Sequence, residues 1–328
     1  MVRPKILLIF TLLIGLSELG FGQDPEFSQF YANQLYLNPA FAGSAICPRI
    51  MLNYRNQWPA LHSTFVTYNG AYDQYVDLVQ GGLGLHIMTD AQGDGTIKTT
   101  SADAMYAYTL RVTRGFSLTG GFQASYIQRK LDWNNLIFPD MINELYGVIY
   151  GTGETPPKDV SKSYFDFSTG MLGFGSNYYF GFAVHHLAEP IESFNNSSDA
   201  ILPRKFTVHF GMKIPIFKQN FKRGELEISP NLLYQRQQDF EQLNFGLYLS
   251  RRAVTAGFWL RQNLDFHYDS FIIMLGFVET TYKLAYSYDI TISKLAKETL
   301  GAHEISFSYQ FPCFKKNKKW NAIKCPSF

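Results

Sequence analysis

The chain has 328 residues, of which 17% are charged and 16% aromatic, and its formal net charge is +2. Ordinary soluble domains carry about 25% charged residues, and the near-neutral balance excludes the basic face that nucleic-acid binding needs. Tyr (21) and Phe (29) are both abundant, a load that suits a membrane barrel, where Phe meets lipid and Tyr sits at headgroup level.

Residues 1–22 read as a secretory signal peptide. Arg3 and Lys5 give the positive start, residues 6–16 an apolar run, and Gly20 and Gly22 the small residues before a cut ahead of Gln23. The apolar run is shorter than the ~18 residues a spanning helix needs. Residues 23–48 follow as an N-terminal periplasmic segment, rich in Asn, Gln, Pro and aromatics and without a long period. No later run is long enough to span as a helix. An exported, apolar chain without spanning helices has a closed barrel as its other way across a bilayer.

From residue 49 the signal has period two, so alternate side chains point to opposite faces. Phe116, Leu118, Gly120, Phe122, Ala124 and Tyr126 alternate with Ser117, Thr119, Gly121, Gln123 and Ser125. Phe206, Val208, Phe210 and Met212 alternate with Thr207, His209 and Lys213, and Ile305, Phe307, Tyr309 and Phe311 with Glu304, Ser306, Ser308 and Gln310. About fourteen such segments are predicted, an even number as in bacterial single-chain barrels. They lie near 49–57, 64–74, 81–89, 97–112, 115–131, 164–174, 176–187, 204–215, 224–236, 240–250, 252–262, 269–278, 280–289 and 302–312. The fold class is therefore all-β, a transmembrane outer-membrane barrel over residues 49–312. A β-sandwich would also alternate, but the aromatic load, the length and the strand count argue against it.

The connections sort by length. With the first strand rising from the periplasm, the inner turns are mostly short and the outer loops include 132–163 and 188–203, the asymmetry of outer-membrane barrels. Residues 313–328 form a basic C-terminal periplasmic tail carrying Lys315, Lys316, Lys318, Lys319 and Trp320. An even strand count puts both termini in the periplasm. In that oxidising compartment one pair among Cys47, Cys313 and Cys325 can bridge, and the sequence does not say which.

Sites for chemistry are few. Asp90, Gln92, Asp94 and Gly95 resemble the start of a calcium loop, but position twelve, where a bidentate Glu belongs, is Ser101. A polar glycine-rich hairpin loop explains the segment better. Asp265, His267 and Asp269 alternate at an outer strand end, where a water-activating Asp–His pair would make a surface protease. A second acid–base pair is not evident, so a solvated loop is the better reading. His185 and His186 are adjacent in a strand and face opposite sides, which suits rim histidines rather than a shared metal. No catalytic residue, metal ligand or cofactor is expected.

Five motifs in order resemble the PorP/SprF family of type IX secretion membrane proteins. They are Gln23-Asp-Pro-Glu-Phe-Ser-Gln-Phe-Tyr31 with Asn38-Pro-Ala-Phe-Ala-Gly43; Tyr54-Arg-Asn-Gln-Trp58; Gly81-Gly-Leu-Gly-Leu85 followed by Asp90 and Gly95; Tyr286-Ser-Tyr-Asp-Ile290; and Gly301-Ala-His-Glu-Ile305. Ala302 departs from the Gly-Ser-His-Glu pattern by one small residue for another. Ile46-Cys-Pro-Arg49, Leu202-Pro-Arg-Lys205 and the Cys325-Pro-Ser-Phe328 end are similar to members found with gliding machinery in Bacteroidota. The resemblance implies a non-enzymatic part of the type IX secretion or gliding apparatus, supporting secretion or surface attachment of a large adhesin. Its implied partners are periplasmic ring or lipoprotein components, the C-terminal domain of the adhesin and outer-membrane lipid.

The barrel interior is expected to be partly filled, with Arg111, Arg129, Lys213, Glu227, Arg261, Asp289 and Glu304 projecting inward. Asn38, Pro39, Phe41 and Gly43 are expected at the periplasmic mouth, where with the lysine-rich tail they would form the face that the secretion rings grip. A diffusion porin or uptake channel, and a surface enzyme of the outer-membrane protease type built on Asp265 and His267, are the rival readings.

Overall fold

The computed structural model describes residues 24–61, 64–143, 145–156, 160–194, 200–216, 226–264, 267–292 and 299–313. Residues 1–22, read from sequence as a signal peptide, together with Asp265, Cys325 and the tail residues Lys315, Lys316, Lys318, Lys319 and Trp320, lie outside them.

Fourteen long strands follow in order: β1 (Arg49–Gln57), β2 (Phe65–Val76), β3 (Gly81–Gln92), β4 (Ile97–Arg111), β5 (Ser117–Leu131), β6 (Ser161–Phe174) and β7 (Tyr178–His185), then β8 (Lys205–Met212), β9 (Leu226–Gln237), β10 (Phe240–Arg251), β11 (Val254–Gln262), β12 (Tyr268–Val278), β13 (Tyr282–Thr291) and β14 (Ala302–Gln310). A two-residue continuation of β8 at Ile214–Pro215 also pairs with β9. Each strand pairs antiparallel with its sequence neighbours, and β14 returns to β1 from Arg49↔Gln310 through Gln57↔Ala302. The sheet is therefore closed and leaves no backbone edge to be satisfied by solvent. Among the described residues no helix is long and apolar enough to cross a membrane.

The faces are inverted relative to a water-soluble sheet. Along β6 and β7, Phe165, Phe167, Met171, Phe180 and Phe182 are exposed, while Asp166, Ser168, Leu172, Tyr179 and Ala183 are buried. Along β8, Phe206, Val208 and Phe210 point out, and Thr207 and His209 point in. Each large apolar side chain gains roughly 1.5–3 kcal/mol on leaving water. A belt of dozens of them on the outside is stable only against hydrocarbon, and this inversion is what distinguishes the fold from a sandwich.

The two mouths differ. At the turn end, β2–β3, β4–β5, β6–β7, β10–β11 and β12–β13 are joined by short turns. At the loop end run the long connections between β5 and β6 and between β7 and β8, the first holding a small hairpin of Ile142–Asn143 with Gly147–Val148. The hairpin between β9 and β10 is a short exception there.

The largest departure from expectation concerns residues 24–48. The sequence reading put them outside the barrel; the structure threads them through its lumen. Phe30, Tyr31, Leu35, Leu37 and Phe41 pack with Leu172, Tyr179, Leu233, Tyr248, Trp259, Ile272 and Met274 from the wall in one apolar core. A segment without period gives no amphipathic signal, yet its scattered aromatics are what an enclosed, non-repeating space can bury.

Candidate functional site

The filled lumen is the part of the molecule with chemistry in it. The plug starts near the loop end, where Asp24 meets residues at the loop-end tips of β7, β8 and β9. Its carboxylate lies 2.9 Å from His186 Nε2 and 3.4 Å from Lys205 Nζ, and its N–H donates to Gln237 Oε1 at 3.4 Å. His186 Nδ1 lies 2.6 Å from Asp166. Burial works to lower the His186 pKa, but Asp24 and Asp166 on its two nitrogens outweigh it and hold the imidazolium up at about 10. Burial likewise works to raise the Asp24 carboxyl, and the His186 and Lys205 charges hold it well below the usual carboxylate range.

One step deeper the plug is latched to the wall by ions. Glu304 accepts from the Ser28 N–H at 2.6 Å, the Gln29 N–H at 3.2 Å and Asn53 Nδ2 at 2.7 Å, and it pairs with Arg55 at 3.3 Å. Arg55 and Arg261 both reach Asp289, at 3.2 and 3.4 Å. Gln29 donates to Ser287 Oγ and the Glu304 carbonyl, and accepts from Ser306 Oγ. Two carboxylates and two guanidiniums thus neutralise one another where water is excluded; removing one partner of such a set costs about 3–5 kcal/mol.

Near the turn end the plug makes its one helical turn, α1 (Gln34–Leu37), followed by a 3-10 turn at Pro39–Phe41. Asn38 caps the latter, accepting from the Ala40 N–H at 2.9 Å, and its Nδ2 donates to the Met171 and Phe182 carbonyls, each at 3.2 Å. Pro39 at the first position needs no donor there. Arg49 grips Asp73 with two nitrogens, at 2.9 and 3.1 Å, and donates to Gln34 Oε1 at 2.8 Å. Asp73 also accepts from the Gly43 N–H at 2.9 Å. Cys47 and Cys313 are joined by a disulfide, their Cα atoms 4.8 Å apart, so the root of the plug is stapled to the chain just past β14.

The wall accommodates the plug with glycines. A Cβ on Gly82 would lie 1.9 Å from the Ala42 carbonyl oxygen, and one on Gly121 would lie 2.3 Å from the Ala40 nitrogen. On Gly170 and Gly181 it would strike Asn38 and His209. Gly43 itself has φ +68 and backs onto the Gly82 Cα, so its backbone and its space both require glycine.

The candidate residues named from sequence meet different fates. Arg261, Asp289 and Glu304 lie in the latch; Arg129 pairs with Glu192 at 2.6 Å; and Lys213 pairs with Glu227 at 3.2 Å, partly exposed at the turn end. Arg111 does not project into the interior: β4 has left the lumen there, and its exposed guanidinium donates to the Thr113 and Arg114 carbonyls of the turn. Asn38, Pro39, Phe41 and Gly43, expected to present a face at the mouth, are inside the barrel, with Asn38 and Phe41 fully enclosed. His267 is fixed through its N–H to Asn263, and Asp269 stands 4.0 Å from Arg261. Asp90 accepts from Thr67 and Gln92 within the lumen, and the glycines after it form the β3–β4 hairpin turn. Among the described residues no group of three His, Cys, Asp or Glu side chains is placed to hold a metal ion. Sequence reasoning missed Arg49, Arg55 and Asp73; their signal was a charge at an inward position opposite a segment that no period explained.

Among solved structures, the toluene transporter TbuX of Ralstonia pickettii is 8% identical at a TM-score of 0.48, over 85% of this chain and 93% of that one. A FadL homologue of Pseudomonas aeruginosa is 12% identical at a TM-score of 0.41, over 84% and 93%. No curated protein matches the chain. The family model described as type IX secretion system membrane protein PorP/SprF matches residues 19–309, and with the closed and inverted sheet already established, the chain belongs to that family as an outer-membrane β-barrel.

Proposed function

We propose that this protein is a sealed, non-catalytic barrel of the type IX secretion machinery that holds periplasmic components at the outer membrane and supports secretion or surface attachment of a large adhesin. One observation carries the reading: the lumen is occupied by a plug with its own apolar core, a buried ion latch and glycine seats in the wall. A barrel filled by packed protein offers no continuous water path, so transport is not its own work. The turn end then faces the periplasm, which suits the Cys47–Cys313 disulfide, since such bonds persist in oxidising compartments.

With Asn38, Pro39, Phe41 and Gly43 enclosed, the gripping face reduces to the turn-end surface and the basic tail. Deleting residues 314–328 should release periplasmic ring components in co-purification while the barrel keeps its heat-modifiable migration. Single-channel recording on the intact protein should show little conductance. Large ohmic steps would instead support a diffusion pore, and undiminished co-purification would remove the tail from the interface.

A further inference from the structure

The loop-end half of the lumen holds a cleft that the plug does not fill. Its cavity volume is about 130 Å³, below that of drug-sized ligand sites and suited to a slender ligand. Its wall is ordered in tiers by strand register. The floor tier runs His86, Asp103, Ser125, Asp166 across β3 to β6. The tier above runs Met88, Ser101, Ile127, Tyr164, and the rim carries Asp90 and Arg129. Leu202, from the connection between β7 and β8, adds to the apolar middle tier.

Two observations point to the kind of ligand. The first is charge. Asp24, Asp90, Asp103, Asp166 and Glu192 line the cleft, against Arg129, Lys205, His186 and, when protonated, His86. His185 also lines the cleft, and with the imidazoles of His86 and His185 neutral the five carboxylates exceed the three cations. Asp90 is buried and held by the neutral donors Thr67 and Gln92; among the described residues it is in no ion pair. A buried carboxylate without a cation is costly unless it takes up a proton or a cation arrives. The second is unmet acceptors. His86 turns Nδ1 to Asp103 and its Nε2, fully buried, has no partner; Gln123 donates to Ser125 and its Oε1 has none. Both side chains line the cleft and are more than nine-tenths buried. Polar groups so placed are normally satisfied.

We infer that this cleft binds an alkylammonium group: a methylene chain that enters from the loop end, lies against Met88, Ile127 and Leu202, and sets a primary ammonium against Asp103 and Gln123 Oε1, beside the imidazole of His86 that Asp103 holds. The chain matches the apolar middle tier, where a hydrated or bulky polar ligand would leave polar groups unpaired. The ammonium supplies three donors and the missing positive charge. A second amine at the other end of the chain would meet Asp90 at the rim. The ligand is thus either a free diamine or a lysine side chain presented from outside the cell.

The two sources are separable by calorimetric titration of the detergent-purified protein with cadaverine and with Nα-acetyl-lysine amide, using 1-pentanol as the neutral control. Binding of either amine, weakened by salt and absent for pentanol, is expected; cadaverine alone indicates a free diamine, and the lysine amide a side chain. Asp103→Asn and Asp90→Asn should each weaken cadaverine about tenfold or more. Asp103→Asn keeps an acceptor for His86, and a melting curve for each variant establishes that it is folded. Ile127→Trp, which blocks the middle tier without altering charge, should abolish binding. The inference is overturned if neither amine binds, if pentanol binds as well as they do, or if the folded Asn variants bind with parental affinity.

Discussion

The two halves of the lumen are built on different principles. The turn-end half is a protein core: Phe30, Tyr31, Leu35 and Phe41 against Tyr179, Trp259 and Met274, with backbone pressed on backbone at Gly82 and Gly121. The loop-end half is a set of ion pairs around a cleft: Asp24 with His186 and Lys205, and Arg129 with Glu192, while Asp90 is in no ion pair among the described residues. Close packing makes the first half rigid and intolerant of volume change. Charges spaced around open volume make the second half adaptable. The plug is therefore best regarded as packed at its root and bordered by open volume near its start.

Four substitutions or conditions would break or sharpen that contrast. The largest effect is expected from Trp259→Ala, which removes the biggest enclosed side chain of the core. It should cost about 3–5 kcal/mol in denaturant unfolding from detergent and should raise single-channel conductance. Gly82→Val comes next. Its Cβ would fall 1.9 Å from the Ala42 carbonyl oxygen, so plug or wall must shift, at about 1–3 kcal/mol or more; the check is faster proteolysis of residues 24–48 in the folded barrel. An unaltered plug in either variant would contradict a packed turn-end half.

The loop-end half should respond to pH instead. The His186 pKa is raised from 6.5 to about 10, so its stabilisation is fully present below the ordinary histidine value and is lost as pH rises through 10. Asp24 is shifted down, so its contribution is present above the ordinary carboxylate value and is lost only on strong acidification. Melting temperature should therefore fall between about pH 6 and about pH 10.5 in the parent, and the slope should flatten in His186→Gln. The smallest effect is expected for Arg129→Ala. That pair is partly solvated at the rim, with side-chain exposures of 19% and 16%, and its loss should cost about 0–1 kcal/mol while leaving conductance unchanged.

Much of the barrel was legible in the sequence because strand formation is read locally. Phe206, Val208 and Phe210 announce an outward face whatever lies around them, and β1 at Arg49–Gln57 falls where the alternation put it. Inward charges were legible for the same reason: Arg261, Asp289 and Glu304 sit on the polar face of their strands. Arg111 has the right parity and the wrong height, since period two tells which face a residue is on but not whether the barrel still encloses it. Asn38 and Phe41 were recognised as a motif and placed at the wrong depth, because a segment with no period carries no direction.

The sequence by itself determined the strands, their two faces, the closed class of sheet and the family, all of which follow from patterns within a dozen residues or from short motifs in order. Only the tertiary structure decided that residues 24–48 fill the lumen, that Cys47 pairs with Cys313, and that Arg55 joins Asp289 and Glu304 into a latch. The reason is distance along the chain. Ser28 and Glu304 are 276 residues apart, and no local period can encode a contact that exists only once fourteen strands have closed around it.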